Sequence, residues 1–183
     1  MQFHVETERL ILRELKQVDL EGMFELDSNP EVHKYLGNKP VKTIEESQKR
    51  IESIRNQYQK HGIGRFAVIE KSSGDFMGWS GLKFNTGDKE TLGEKKDFYD
   101  IGYRFIPKYW GKGYATETSF AILHYGFTKL KLDTIVGAAD TKNIASNKVL
   151  QKIGLQFKEV FPYKNVMVNW YELKNKDYGK TMS

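Results

Sequence analysis

The chain has 183 residues, 39% of them hydrophobic and 29% charged, and no cysteine. That size and balance bury one core, so residues 1–183 are expected to form a single folded domain, and disulfide frameworks and thiolate metal sites are excluded. The formal charge of +5 suits an anionic ligand, but lysines and arginines are spread along the chain, which disfavours nucleic acid as a partner. The four histidines lie far apart, the opening residues lack a signal-peptide pattern, and no apolar run reaches membrane-spanning length. A metal-free, cytoplasmic protein with no membrane partner is the expectation.

In chain order, Leu10 and Leu12 alternate within a strand expected over Arg9 to Leu15. Asp19 is placed to cap a short helix carrying Leu20, Met23 and Phe24. Thr43-Ile44-Glu45-Glu46 reads as a capping box, and Ile51, Ile54 and Tyr58 continue at helical spacing to His61-Gly62. Phe66 to Ile69 and Phe76 to Trp79 are strand-like runs on either side of Lys71-Ser72-Ser73-Gly74-Asp75, so an antiparallel hairpin is expected. After a polar stretch, Phe98 to Ile106 forms a strand stopped by Pro107. Phe120, Leu123, Phe127 and Leu130 then mark an amphipathic helix. A strand over Thr134 to Ala139 follows, then a helix capped by Asn143 and ended by Gly154, then strands over Leu155 to Phe161 and Val166 to Leu173. This succession defines an α/β class with no internal repeat.

The segment from Ile101 to Ala115 joins a strand to a helix through a turn with Gly111 and Gly113. A helix start presents unpaired N–H groups and a positive dipole end, so such a turn can cradle a pyrophosphate, and Lys108 and Lys112 add positive charge. A plain tight turn before a packed helix is the alternative reading of the glycines. Their spacing matches neither G-x-G-x-x-G nor G-x-x-x-x-G-K-[ST], which disfavours dinucleotide dehydrogenases and nucleotide hydrolases.

The same segment resembles the central Gln/Arg-x-x-Gly-x-Gly/Ala motif of the GNAT acetyltransferases, with Trp110, Gly113 and Ala115 at its first, fourth and sixth positions. Trp110 departs from the pattern, but Trp110-Gly111-Lys112-Gly113-Tyr114-Ala115-Thr116-Glu117 is similar to the RimJ/RimL-like branch of ribosomal-protein N-acetyltransferases. Thr7-Glu8-Arg9-Leu10-Ile11-Leu12-Arg13 resembles the opening strand of that branch, and Asn143 to Leu150 with Gly154 resembles its Asn-x-x-Ser helix. The resemblance implies a GNAT fold: a mixed, mostly antiparallel central sheet of about seven strands with a splayed central strand pair, flanked by about four helices.

It also implies acetyl-CoA as co-substrate and an amine acceptor, either a protein N-terminus or a small molecule such as a polyamine or antibiotic. Backbone groups of Tyr103, Phe105 and Ile106 would bind the pantetheine arm, one N–H polarising the thioester carbonyl, a contribution of roughly 3 to 4 kcal/mol. Trp110, Gly111, Lys112, Gly113, Tyr114 and Ala115 would hold the pyrophosphate, and Asn143 would contact the pantetheine, cap its helix, or do both. Many relatives protonate the departing thiolate with a tyrosine seven positions after that asparagine. Leu150 stands there, and the branch points to Ser146 as the acid, with a first-turn helix residue as the plain alternative. Asp100 is the candidate base, with Glu94, Glu117 and Asp140 as rivals and a solvated surface acid as the alternative for each.

Two other functions remain open at this level. The missing tyrosine allows a non-catalytic acyl-CoA-binding regulatory module. A basic RNA-binding protein would use Tyr163, Trp170 and Tyr171 for stacking, although these aromatics also suit a packed C-terminal strand pair. Acceptor specificity is expected from the loops Asn29 to Thr43 and Asn85 to Lys96, and oligomeric state is open, a homodimer among the options.

Overall fold

Alternating and helical periodicities resolve, in the computed structural model, into a mixed α/β fold over residues 3–88 and 90–179. The strands are β1 (His4–Glu6), β2 (Leu10–Arg13), β3 (Arg65–Glu70), β4 (Phe76–Asn85), β5 (Phe98–Phe105), β6 (Thr134–Asp140), β7 (Gln156–Tyr163) and β8 (Val166–Lys174). The helices are α1 (Leu20–Ser28), α2 (Pro30–His33), α3 (Ile44–His61), α4 (Tyr114–Thr128), α5 (Ile144–Lys152) and α6 (Asn175–Tyr178). The strands hydrogen-bond in the order β1-β2-β3-β4-β5-β6-β8-β7, and the pairing of β5 with β6 is parallel. Eight strands and six helices stand against the expected seven and four.

The residues fall into two compact units, one within Met1–Gly81 and Gly102–Ala121, the other within Leu82–Ile101 and Ile122–Ser183; the boundary passes through β4, β5 and α4. In the first, β2 inserts between β1 and β3 with antiparallel registers Val5↔Leu12 and Leu12↔Val68. Leu10 and Leu12 are fully buried, as their alternation requires. Thr43 and Glu46 form the capping box of α3, Glu46 accepting from the Thr43 N–H at 3.1 Å, and Gly62 ends the helix in the left-handed conformation at φ 67°.

In the second unit β6 pairs along its length with β8, from Thr134↔Lys174 to Asp140↔Val168, and β7 covers the other side of β8. The parallel ladder between β5 and β6 is registered at Asp100↔Val136, on the strand pair expected to splay. Trp170 and Tyr171 are buried, so they pack the C-terminal strand pair and offer no stacking surface for RNA. Among the described residues no helix is long and apolar enough to cross a membrane.

β4 runs six residues past the expected Trp79 because its glycines serve the sheet rather than ending it. A Cβ on Gly78, at φ 148°, would lie 2.1 Å from the Arg104 carbonyl oxygen, and one on Gly81 would lie 2.3 Å from that of Gly64. Only glycine permits these approaches. Gly78→Ala is therefore expected to destabilise the protein by about 3 kcal/mol or more, read from urea or thermal unfolding; wild-type stability would contradict the close approach.

Candidate active site

Within the first unit, β5 ends at Phe105 and the chain turns sharply. The Ile106 N–H donates to the Met77 carbonyl at 3.0 Å, and Pro107 opens a 3-10 turn in which the Trp110 N–H donates to the Pro107 carbonyl at 3.0 Å. The Trp110 indole Nε1 donates back to the Phe105 carbonyl at 2.7 Å. This explains the departure at the first motif position, because the indole N–H ties the loop to the strand it leaves. The Ile106 amide is held by the Met77 carbonyl of β4, so of the expected pantetheine groups the Ile106 N–H and the Phe105 carbonyl are both engaged within the protein.

Gly111 and Gly113 follow with φ of 74° and 84°, left-handed values that other residues adopt at a strain. Gly111, Lys112 and Gly113 are exposed. The Gly113 carbonyl accepts from Glu117 N at 3.0 Å and so begins α4, whose first-turn amides have no intrahelical acceptor. A Cβ on Gly111 would meet nothing within 4 Å, and one on Gly113 would meet only Arg9 Nη2 at 3.6 Å. Open space, an exposed glycine turn, the helix dipole and Lys112 together fit a diphosphate. Lys108 instead pairs with Glu25 at 3.3 Å.

Residues from the opening motif brace this loop. Arg9 Nε donates to Glu117 Oε2 at 2.7 Å, Arg9 Nη2 to the Lys112 carbonyl at 3.1 Å, and Thr7 Oγ1 to Glu117 Oε1 at 2.5 Å. The Arg9 guanidinium also lies 4.3 Å from the Tyr114 ring centroid, and the Tyr114 hydroxyl donates to Glu70 at 3.0 Å. Burial alone would raise the Glu117 carboxyl, but the hydrogen bonds from Thr7 and Arg9 outweigh it and hold the group below the usual carboxylate range. A carboxylate so engaged is a poor proton acceptor, which removes Glu117 as a rival base.

In the second unit, Asp100 is half-buried and accepts from Asn85 Nδ2 at 2.8 Å. Asn143 caps α5, its Oδ1 accepting from the Ser146 N–H at 3.1 Å, while Ser146 is half-buried in the first turn. Asp140 Oδ1 accepts from Lys142 N at 2.8 Å and so shapes the turn before α5. Leu150 is buried, and its Cδ2 lies 2.5 Å from where a Gly137 Cβ would stand. Sequence reasoning missed Asn147. Its Nδ2 donates to the carbonyls of Asp140 and Asn143 at 2.9 and 2.8 Å, and its Oδ1 accepts from Asn169 and Tyr171 at 2.8 and 2.7 Å. Its inward place beside the apolar Val149-Leu150 pair is the signal that could have marked it.

A family model described as an acetyltransferase (GNAT) domain matches residues 9–156. An uncharacterized N-acetyltransferase of Bacillus subtilis, YoaA, is 35% identical over 83% of this chain and 82% of its own. The FsC-acetyl coenzyme A-N(2)-transacetylase of Aspergillus fumigatus is 30% identical over 85% of this chain and 66% of its own. A GNAT-family acetyltransferase from Bacillus anthracis, 28% identical, superposes with a TM-score of 0.78 over 95% of this chain and 99% of its own. The chain belongs to the GNAT acetyltransferase family, whose co-substrate is acetyl-CoA.

Because the folded-state pKa of Glu117 is depressed, the stability it contributes is present above the unfolded value of about 4.3 and is lost as pH falls through the folded one. Glu117→Gln should cost about 1 to 2 kcal/mol at neutral pH, and the difference from wild type should shrink below about pH 4. Denaturant melts at several pH values check this; a pH-independent difference would mean that the charge is not what matters.

Proposed function

We propose that this protein transfers an acetyl group from acetyl-CoA to the primary amine of a protein N-terminus or a small molecule, as a cytoplasmic enzyme of the RimJ/RimL-like branch. The observation that carries the reading is the strand-turn-helix from Tyr103 to Ala115, with its two left-handed glycines in an exposed turn that leads into the start of α4. The Aspergillus relative, an FsC-acetyl coenzyme A-N(2)-transacetylase, supports the co-substrate.

In this reading the amides of Gly111 to Ala115 and the Lys112 ammonium hold the diphosphate, and backbone groups of Tyr103 and Phe105 orient the thioester. The amine nitrogen attacks the carbonyl carbon, the C–S bond breaks, and the thiolate leaves. Asp100 takes the proton that the amine must lose, and Ser146 gives one to the departing thiolate. Asn143 keeps its Oδ1 on the helix cap and has its Nδ2 to offer the pantetheine. Leu150, where many relatives carry tyrosine, favours a second reading: a non-catalytic acyl-CoA-binding module, separated by thiol release from acetyl-CoA over an amine panel.

Gly113→Glu should abolish the rise in melting temperature given by acetyl-CoA, because it places bulk and negative charge in the cradle. Unchanged affinity in the folded variant would remove the site assignment. Ser146→Ala should lower kcat while leaving acetyl-CoA affinity within about three-fold, since a proton donor to the leaving group acts in the transition state; full activity would return Ser146 to a helical role.

With an α-amine acceptor, kcat/KM should rise through roughly pH 7 to 8 and level off, and with a lysine-like amine it should climb beyond about pH 9. Asp100→Asn should depress the rate most at low pH. A wild-type profile flat over this range would exclude amine deprotonation as the controlling step.

A further inference from the structure

A buried charged cluster in the first unit has no part in holding the cofactor. Asp27 on α1 is fully buried, and its Oδ1 accepts from Arg104 Nη1 of β5 at 2.8 Å and from Arg50 Nη1 of α3 at 3.2 Å. Arg104 lies 5.0 Å from the Trp79 ring centroid, and Arg65 lies on the same ring at 5.4 Å while donating to the Gly81 carbonyl at 2.6 Å. Two guanidiniums thus share a single carboxylate oxygen. His33 of α2, also buried, is kept from adding a third charge by burial first and then by Arg104 and Arg50, which together hold its pKa below the usual imidazole value.

Several donors and acceptors here have no protein partner. Arg104 Nε, Asp27 Oδ2 and His33 Nε2 are buried and unsatisfied among the described residues. Arg50 reaches Asp27 through Nη1, and its side chain is 38% exposed, so it is the member of the cluster that a solute can reach. Buried polar atoms without partners are uncommon in folded proteins and call for an explanation, a bound water or ion among them. The group formed by Arg50, Arg104 and Asp27 carries one net positive charge, and a guanidinium fork matches the geometry of a carboxylate or phosphate. Arg104 also stands between Tyr103 and Phe105, the strand residues assigned above to the thioester end of the cofactor.

We propose that Arg50 and Arg104, held by Asp27, form a subsite for an oxyanion, a carboxylate or phosphate, carried by the acceptor amine. The acceptor is therefore anionic at one end rather than a polyamine, whose charges would meet like charge here. This rests on the acetyl-transfer reading and narrows its substrate class.

The test measures thiol release from acetyl-CoA with an amino acid and its carboxamide, phosphoethanolamine and ethanolamine, and spermidine. The account expects at least one acidic acceptor to have a KM at least about ten-fold below that of its neutral partner. The two acid arms tell carboxylate from phosphate. Arg50→Gln should remove the preference by raising the acid's KM, Arg50→Lys should keep part of it, and Lys49→Gln, which deletes an exposed charge on the same helix, should keep all of it. A preference for spermidine or the neutral amines, or an equal effect of Arg50→Gln on acid and amide, would overturn the subsite. Melting curves with N-acetylglycine and N-acetylglycinamide, or acetylated phosphoethanolamine and ethanolamine, give a readout independent of turnover. A rise confined to an acidic compound, and lost in Arg50→Gln, supports the subsite; no such rise overturns it. Should no amine release thiol, the acetyl-transfer reading fails and these melting curves alone decide the subsite.

Discussion

How β5 is stopped governs the rest of the first unit. The Ile106 N–H on the Met77 carbonyl of β4 and the Trp110 indole on the Phe105 carbonyl take up polar groups at the strand end, where the chain turns at Pro107. That turn is possible because Gly78 lets the Arg104 carbonyl come where a Cβ would stand. The two glycines beyond it then reach left-handed conformations, and the first-turn amides of α4 have no intrahelical acceptor. In the proposed reading, the anion cradle follows from a strand end that is internally satisfied.

A cradle of this kind must be held in shape to bind without a large ordering penalty. Arg9 does so by touching three parts of the turn and helix: the Lys112 carbonyl, the Tyr114 ring and the Glu117 carboxylate. The opening motif and the central motif are thus parts of one device. Lys112, exposed beside it, is left to meet an anion.

These relations set what was legible in the sequence. Pro107, the glycine pair and the helical spacing after them disclosed the strand-turn-helix, because each residue acts through its own backbone geometry. Thr43 and Glu46 disclosed α3 in the same local way. The Arg9 to Glu117 link joins residues 108 apart, so no local pattern could reveal it, and Glu117 read as one more surface acid. Asp27 carries no local signal either, because its burial against two arginines comes from tertiary packing. β1, α2 and α6 span three or four residues each, too few to show a period. The strand-like run ends at Trp79, whereas β4 continues through Gly81, where close backbone approach requires glycine.

The central claim is that the backbone from Gly111 to Ala115 binds the diphosphate of coenzyme A. The direct measurement is a titration of the isotopically labelled protein with coenzyme A, followed by the amide resonances of the whole chain. The account predicts saturable shifts that are largest at Gly111, Lys112, Gly113, Tyr114 and Ala115. Saturable binding that leaves those five amides unmoved while shifting another segment would contradict it.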